Sequence, residues 1–374
     1  MKEICLHGKK IIHGPGSLSA LKSICGKTAL IVTGKGAMEK TGVLKKAQEY
    51  LSFGFSKVFV YKISGINPTD EMVVKGLEIM KEVNPDCLIA IGGGSPIDCA
   101  KAILILAENS ELSIEQLTAA KIPDHRKTKF VIIPSTSGTA SEVTHVAVIT
   151  YAKKGLKIAV KSSILRPDIA ILDGEITLTM PKSICAQTGM DALTHAIESF
   201  ITPFADDFTR SLSKEAIEGI VKWLPVSYNE ASIVSRQKVH NYQCMAGMAF
   251  SNSGLGAVHG ISHAFSGIFN TPHGLANAVI LPYILEYNSE HNDNTKTLLK
   301  ELSVYLGSDI TQIVRDLNRS FNIPEKMRDT GISNADFENN IDRLVEYSMY
   351  GATSQNPVKM DTDVIRQLIT DKIF

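Results

Sequence analysis

The first half of the chain is organised around one stretch, Asp86-Cys-Leu-Ile-Ala-Ile-Gly-Gly-Gly-Ser-Pro-Ile-Asp-Cys-Ala-Lys101. Residues 86–91 form a short run of apolar, mostly branched side chains, which predicts a buried strand. Three glycines follow at once, and helical spacing of apolar residues begins at Pro96. Ser95 suits the position that caps such a helix, and proline suits its first turn. The stretch therefore predicts a strand, a glycine turn and a helix in direct succession.

The glycine turn also predicts an anion-binding site. Glycine lets the backbone approach a ligand closely, and the free N–H groups at a helix start favour a negative charge. A pyrophosphate fits this arrangement, although a plain strand-to-helix turn has the same pattern. The spacing differs from Gly-x-Gly-x-x-Gly, the ordinary dinucleotide-binding fingerprint. The candidate contacts are Gly93, Gly94, Ser95 and Asp98.

Other apolar runs in the first 180 residues repeat this alternation of strand and helix. Further buried strands are predicted at residues 28–33, 57–61 and 129–133. Helical spacing of apolar residues occupies residues 37–51, 69–82 and 96–107. A β-like stretch continues from about Val146 to Leu172. Strands separated by helices of this length pair in parallel, so the first half is predicted to be an α/β unit with a parallel sheet.

A second polar loop, Pro134-Ser-Thr-Ser-Gly-Thr-Ala-Ser-Glu142, directly follows the strand predicted at 129–133. Its hydroxyl and amide donors could line a nucleotide site, although a generic loop has the same composition. Lys157, on the β-like stretch, could neutralise a phosphate or be solvated at the surface. Neither feature identifies a ligand on its own.

The character of the sequence changes after Met180-Pro181, where strand-like runs nearly vanish and long helical patterns begin. A chain of 374 residues is also too long for one ordinary core. We therefore predict an α/β domain over residues 1–181 and an all-helical domain over residues 182–374, packed around a cleft.

Composition and charge exclude several classes of partner. The 39 basic and 39 acidic side chains cancel, which argues against a nucleic-acid partner or an anionic membrane. No apolar run approaches the roughly 20 residues of a transmembrane helix, and no secretory signal is visible. The six cysteines are dispersed without a Cys-x-x-Cys pair. We therefore expect a cytoplasmic enzyme without a disulfide framework or a thiolate zinc site.

The helical half carries five residues at spacings that suit a metal ion. Asp191 and His195 lie four residues apart, and His259 and His263 have the same spacing, so each pair projects from one face of a helix. His273 follows within Thr-Pro-His-Gly. One carboxylate and three imidazoles suit Fe²⁺, Zn²⁺, Mn²⁺ or Co²⁺. A structural site is typically closed and rich in cysteine, so this set favours a catalytic metal.

One of the four histidines in this set exceeds what the metal needs. With Asp191, His195, His259 and His273 as ligands, His263 is surplus. It could relay a proton near neutral pH, or it could be a core histidine that orients its neighbour.

These segments together resemble the iron-containing, or group III, alcohol dehydrogenases, in order and over nearly the whole chain. The short C-terminus and Ala205-Asp-Asp-Phe-Thr209 are similar to the propanol dehydrogenases of diol-degrading compartments. The segments that carry the resemblance are residues 92–101, 134–144, Gly189-Met-Asp-Ala-Leu-Thr-His-Ala-Ile-Glu198, Gly254-Leu-Gly-Ala-Val-His-Gly-Ile-Ser-His263 and Pro272-His-Gly-Leu-Ala-Asn-Ala278.

The resemblance implies a dinucleotide domain, an all-helical metal domain and an active site between them. It implies Asp191, His195, His259 and His273 as metal ligands, and Phe250 as a residue that faces the substrate. Family members are commonly homodimers or higher homo-oligomers. The positions that it assigns to the NAD(P) site are Gly94, Ser95, Ser135, Thr136, Thr144, Val146 and Lys157, with Asn67 and Met180 nearby.

One position departs from the pattern of many NAD-dependent members. They carry an aspartate after the first strand, which binds the adenosine ribose and repels a 2′-phosphate. This chain has Gly34 there, followed by Lys35, which could attract a phosphate. Both NAD and NADP therefore remain candidate cofactors.

The activity that the resemblance implies is reversible hydride transfer between a primary alcohol, small and aliphatic or a diol, and NAD(P). A lyase of the dehydroquinate synthase type shares the plan, but residues 189–199 and 244–282 contain no Lys or Arg for its charged substrate. A glycerol dehydrogenase also shares the plan but commonly lacks one of the ligand positions. A catalytically silent protein that binds metal and nucleotide is a further alternative.

Overall fold

The computed structural model describes residues 3–65, 67–117, 122–151 and 156–374. The chain divides into two compact units, Met1–Met180 and Pro181–Phe374. Among the described residues, every helix is too short or too polar to cross a membrane.

The first unit is built on a six-stranded parallel sheet, which confirms the predicted α/β class. The strands of the sheet are β1 (Lys10–His13), β2 (Thr28–Gly34), β3 (Lys57–Ile63), β4 (Cys87–Gly92), β5 (Lys129–Pro134) and β8 (Ile169–Leu172). From one edge to the other, their order is β1-β8-β5-β4-β2-β3, and all neighbouring strands run parallel. The strand β4 is buried at all six positions, as expected at the centre of a sheet covered on both faces.

Helices cover both faces of this sheet. Alternate residues of β2 point to opposite sides, so Leu30 and Val32 join one apolar cluster and Ala29 and Ile31 join the other. The helices of this unit are α1 (Ala37–Lys40), α2 (Val43–Leu51), α3 (Asp70–Val83) and α4 (Gly94–Glu108). The helix predicted over residues 37–51 is thus divided in two, because Gly42 adopts a positive φ of 74° between the halves.

The β-like stretch predicted from Val146 to Leu172 is not continuous. Strands β6 (Val146–Tyr151) and β7 (Leu156–Lys161) form a separate antiparallel hairpin. Only β8 enters the main sheet, where it pairs with β1 and β5.

The second unit, residues 181–374, is described throughout and consists of helices and turns. Its helices are α5 (Lys182–Ile201), α6 (Asp207–Glu230), α7 (Ile233–Ser253), α8 (Ala257–Phe269), α9 (His273–His291), α10 (Asp293–Leu306), α11 (Ile310–Ser320), α12 (Asn334–Ser348) and α13 (Thr362–Gln367). The helix α5 is central, and all its residues from Gly189 to Ile201 are buried. A helix buried on every side is surrounded by other elements, and α6, α7 and α9 all pack against it.

Candidate active site

Three helices of the second unit bring the predicted metal ligands together. Asp191 and His195 lie one turn apart on α5, His259 lies in the first turn of α8, and His273 is the first residue of α9. Gly254 and Gly256 lie between α7 and α8, and Pro272 lies between α8 and α9. Glycine and proline commonly interrupt helices, so these residues mark the turns from which α8 and α9 begin.

The carboxylate of Asp191 is the common neighbour of the three histidines. Its Oδ1 atom lies 4.0 Å from Nδ1 of His195, 3.8 Å from Nε2 of His259 and 3.7 Å from Nε2 of His273. Metal ions bind such oxygen and nitrogen atoms at about 2.0–2.2 Å. A ligand set with these separations can close around one ion with only small side-chain movements.

Burial makes this site unfavourable for an uncompensated charge. The side chains of Asp191, His195 and His259 are at most 7% exposed, whereas that of His273 is 26% exposed. Burial raises the pKa of Asp191 to about 6, although His259 and a hydrogen bond from Asn277 act in the opposite direction. A divalent cation would offset the cost of the buried carboxylate, so the residues fit a metal.

Asn277 is a polar residue of this site that sequence reasoning missed. Its Nδ2 atom donates to Oδ1 of Asp191 at 2.7 Å and lies 3.2 Å from Nε2 of both His259 and His273. It follows His273 by one helical turn on α9, so the same four-residue spacing that identified the ligand pairs would have singled it out.

A close approach of two helices places His273. A Cβ atom on Gly274 would lie 2.2 Å from the carbonyl oxygen of Gln187 and 3.3 Å from Cβ of Asp191. Only glycine leaves room for the first turn of α9 against α5 at this point.

Two aromatic rings complete the surroundings of the ligands. Phe250, on α7, stacks on His195 with 4.3 Å between the ring centroids. His263 stacks on His273 with a centroid distance of 4.8 Å and lies 6.0 Å from the ring of His259. The structure thus places Phe250 against the ligand candidate His195 and His263 against the ligand candidate His273.

The segments predicted to bind a nucleotide meet at one edge of the parallel sheet. Gly34 ends β2, Gly92 ends β4 and Pro134 ends β5, with Gly92 and Pro134 paired in register. Ligands of parallel α/β sheets bind at the carboxyl ends of the strands. A Cβ atom on Gly94 would lie 2.9 Å from Cγ2 of Thr139, so the glycine turn and the 134–142 loop touch.

The predicted cap of the following helix is wrong. The helix α4 begins at Gly94 with Gly93 as its N-cap, and no side chain caps it. Ser95 therefore lies inside the first turn, because the glycines allow the helix to start earlier than the serine. Because no side chain caps α4, its start is of the kind that binds an anion through backbone N–H groups.

Asp98, Thr144 and Val146 are held together by a buried lysine. Lys101 Nζ donates to both oxygens of Thr144 and to the carbonyl of Val146, at 2.8–3.0 Å. It also donates to Ser141 Oγ at 3.0 Å, and that hydroxyl donates to Asp98 at 2.7 Å. Sequence reasoning did not give Lys101 a role of its own.

Burial shifts the pKa values of this network. It lowers the pKa of Lys101 to about 8 and raises that of Asp98. It also lowers the pKa of Lys157 to about 8, against the attraction of Asp98. Through these hydrogen bonds, Lys101 and Asp98 tie α4 to the segment from Ser141 to Val146.

Two of the remaining predicted contacts lie beside the glycine turn: the Ser135 backbone N–H donates to the Gly92 carbonyl at 2.8 Å, and a Cβ atom on Gly93 would lie 3.5 Å from Oγ1 of Thr136. Ser135 and Thr136 are half-buried on the loop after β5. Asn67 precedes Pro68, whose carbonyl accepts a hydrogen bond from Thr150 of the β6–β7 hairpin at 2.9 Å. Met180 is the last residue of the first unit, and its assignment rests on the resemblance alone.

Comparison with known proteins gives matches over both units. The family model of iron-containing alcohol dehydrogenases matches residues 8–174. The C-terminal model of the Fe-containing alcohol dehydrogenase family matches residues 185–373.

Individual relatives cover most of the chain. An NADPH-dependent butanol dehydrogenase of Clostridium saccharobutylicum is 38% identical over 96% of this chain and 95% of its own length. A 1-propanol dehydrogenase of Citrobacter freundii is 36% identical over 75% of this chain and 72% of its own. A solved 1,3-propanediol oxidoreductase is 31% identical, with a TM-score of 0.91 and coverage of 99% of both chains. The iron-containing alcohol dehydrogenase of Thermococcus thioreducens is 32% identical, with a TM-score of 0.90 and coverage of 99% and 98%.

Proposed function

This chain belongs to the iron-containing alcohol dehydrogenase family, and we propose that it interconverts a small primary aliphatic alcohol and its aldehyde with NADPH as the preferred reductant. It is an oxidoreductase that uses a metal and NAD(P). The observation that carries the proposed site is the convergence of one buried carboxylate and three imidazoles from α5, α8 and α9.

Four side chains hold the metal in this proposal, namely Asp191, His195, His259 and His273. When bound, a divalent ion such as Fe²⁺ supplies Lewis acidity toward the substrate oxygen, and the nicotinamide supplies the hydride chemistry. The helices fix the ligands before metal arrives, because three of the four are buried in the core. Zn²⁺ or another divalent ion fits the same donor atoms.

Phe250 and His263 act on the substrate in different ways. The Phe250 ring, stacked on His195, offers an apolar wall for a short alkyl chain. The His263 imidazole, stacked on the partly exposed His273, gives or takes the hydroxyl proton through a ring nitrogen. A short chain agrees with the butanol, propanol and propanediol substrates in the names of the relatives.

The carboxyl edge of the parallel sheet holds the cofactor. Gly93, Gly94 and Ser95 bind the pyrophosphate through backbone N–H groups of the α4 start. Ser135, Thr136 and Lys157 contribute further donors, with Asn67 and Met180 at the margin. Asp98, Thr144 and Val146 act indirectly: their hydrogen bonds with Lys101 and Ser141 fix the shape of the loop that follows β5.

The preference for NADPH rests on Gly34. Among the described residues beyond its chain neighbours, none has an atom within 4 Å of the position that a Cβ atom would take there, so these residues leave space for a 2′-phosphate at the end of β2. The Clostridium saccharobutylicum relative is NADPH-dependent by its name. Lys35 follows directly and supplies a positive charge.

A reducing cytoplasm and a homo-oligomer, most simply a homodimer, complete the proposal. None of the six cysteines, all of which the structure describes, forms a disulfide, which suits a reducing compartment. The oligomeric state rests on the resemblance alone.

An anaerobic assay tests the proposed function. Purified protein supplied with Fe²⁺ and NADPH should consume NADPH, followed by its absorbance, when propanal or butanal is added. His259→Ala should lose both bound metal and this activity. A flat trace with metal and cofactor both bound would favour a catalytically silent protein, and full activity in His259→Ala would refute the metal assignment.

A further inference from the structure

A second carboxylate is buried close to the ligands but outside the predicted set. Glu198 is 2% exposed and lies on α5, two helical turns after Asp191. A buried glutamate in a helical core needs partners that stabilise its charge. Both of its oxygens have such partners.

Each oxygen of Glu198 contacts a different part of α8. The Oε2 atom lies 2.5 Å from Nδ1 of His259, and Oε1 accepts the backbone N–H of Val258 at 2.8 Å. The N-cap residue of α8, Gly256, offers no side chain to satisfy the first N–H groups of this helix. Glu198 therefore caps α8 and contacts the metal ligand on it with the same carboxylate.

Asn356 caps the same helix without contacting the ligand. Its Oδ1 atom accepts the N–H of Ala257 at 3.2 Å and a hydrogen bond from Asn288 at 3.0 Å. The two residues cap adjacent N–H groups of α8. Comparing variants at the two positions therefore separates the effect of losing a cap from the effect on His259.

We propose that Glu198 is a positioning residue that selects the metal-binding tautomer of His259. A carboxylate only accepts hydrogen bonds, so the ring proton stays on Nδ1 and points to Glu198. The lone pair of Nε2 then faces Oδ1 of Asp191, 3.8 Å away, where the metal binds. This inference rests on the proposed metal site and assigns a residue beyond its ligands.

Glu198→Gln is the variant that tests this tautomer. The amide oxygen can still accept the N–H of Val258, but its NH₂ group faces Nδ1 of His259. Nδ1 must then act as the acceptor, which moves the ring proton to Nε2 and blocks the metal-binding lone pair. Metal affinity, measured with Zn²⁺ in competition with a chelator, should fall by about tenfold to hundredfold. The melting temperature of the metal-free variant should stay near that of the wild type.

Asn356→Ala provides the matched control because it removes a cap of α8 and leaves Glu198 in place. It should lower the melting temperature of the metal-free protein while changing the Zn²⁺ affinity much less than Glu198→Gln does. Equal Zn²⁺ affinity in Glu198→Gln and wild type would overturn the inference. So would a loss of affinity accompanied by the same loss of stability as in Asn356→Ala. A wild-type protein that binds no Zn²⁺ would instead contradict the metal site itself.

Discussion

At the scale of single residues, the candidate metal site depends on Asp191. Its Oδ1 atom has a ring nitrogen of three histidines within 4.0 Å and a hydrogen bond from Asn277. A buried carboxylate costs free energy when no counter-charge is bound, as the raised pKa of Asp191, about 6, reflects. A cation bound at this site would therefore stabilise the buried Asp191 carboxylate.

Gly34 should decide between the two cofactors. Gly34→Asp introduces a carboxylate at the open end of β2, where it would repel a 2′-phosphate and accept the ribose hydroxyls of NADH. The ratio of kcat/KM for NADPH to that for NADH should fall at least about tenfold, or about 1.4 kcal/mol. Gly34→Asn is the uncharged control and should shift the ratio less. An unchanged ratio in Gly34→Asp would place the 2′-phosphate elsewhere.

His145 should make the stability of the protein sensitive to acid. Burial, together with the positive charges of Arg166, Lys101 and Lys161, lowers its pKa to about 4, and Arg166 donates to its Nδ1 atom at 3.3 Å. Below pH 6.5 the unfolded chain takes up a proton that the folded chain refuses until about pH 4. The contribution of His145 to the free energy of unfolding is therefore complete above pH 6.5. It declines as the pH falls to about 4, by at most about 3 kcal/mol.

Denaturant unfolding at several pH values measures this effect. His145→Asn should flatten the decline between pH 6.5 and 4. His125→Asn is the control, because the His125 side chain is 83% exposed, and its curve should follow the wild type. A wild-type slope in His145→Asn would show that other groups cause the acid sensitivity.

At the scale of elements, the ligands are positioned by the close packing of α5 and α9. Gly274→Ala would place Cβ 2.2 Å from the carbonyl oxygen of Gln187, so the first turn of α9 must move and carry His273 with it. We expect a loss of about 1–3 kcal/mol in unfolding free energy, together with weaker metal binding. Denaturant unfolding and chelator competition measure the two effects.

Gly34→Ala is the control for this glycine because its Cβ would lie more than 4 Å from every described residue other than its chain neighbours. It should leave both the unfolding free energy and the metal affinity close to those of the wild type. Wild-type metal affinity in Gly274→Ala would mean that the position of α9 does not govern the site.

Long periodic elements were predictable from the sequence, and short or context-dependent ones were not. The helix predicted over 69–82 is α3, Asp70–Val83, and the strand predicted over 28–33 is β2, Thr28–Gly34. β1 and β8 have only four residues each, too few to show a periodicity, and their pairing with each other joins distant segments. The early start of α4 reflects the freedom of glycine, which a search for capping side chains overlooks.

At the scale of the whole molecule, the candidate metal ligands could be predicted from the sequence, whereas the residues that hold the sites in place could not. Asp191, His195, His259 and His273 stand out because each carries a ligating side chain at helical spacing or in a distinctive motif. Glu198 and Lys101 act on neighbours that are distant in the chain, at Val258, His259 and Thr144. These partners cannot be predicted from the sequence, because the contacts form only where α5 packs against α8 and where α4 packs against the loop before β6.

The dependence of turnover on bound metal tests the account most directly. Protein stripped with a chelator under anaerobic conditions would be titrated with Fe²⁺, and bound iron and aldehyde-dependent NADPH oxidation would be measured on the same samples. Activity should rise with bound iron and saturate at one ion per chain, and Asp191→Asn should neither bind iron nor turn over. Metal-free protein as active as the reconstituted enzyme would contradict the account.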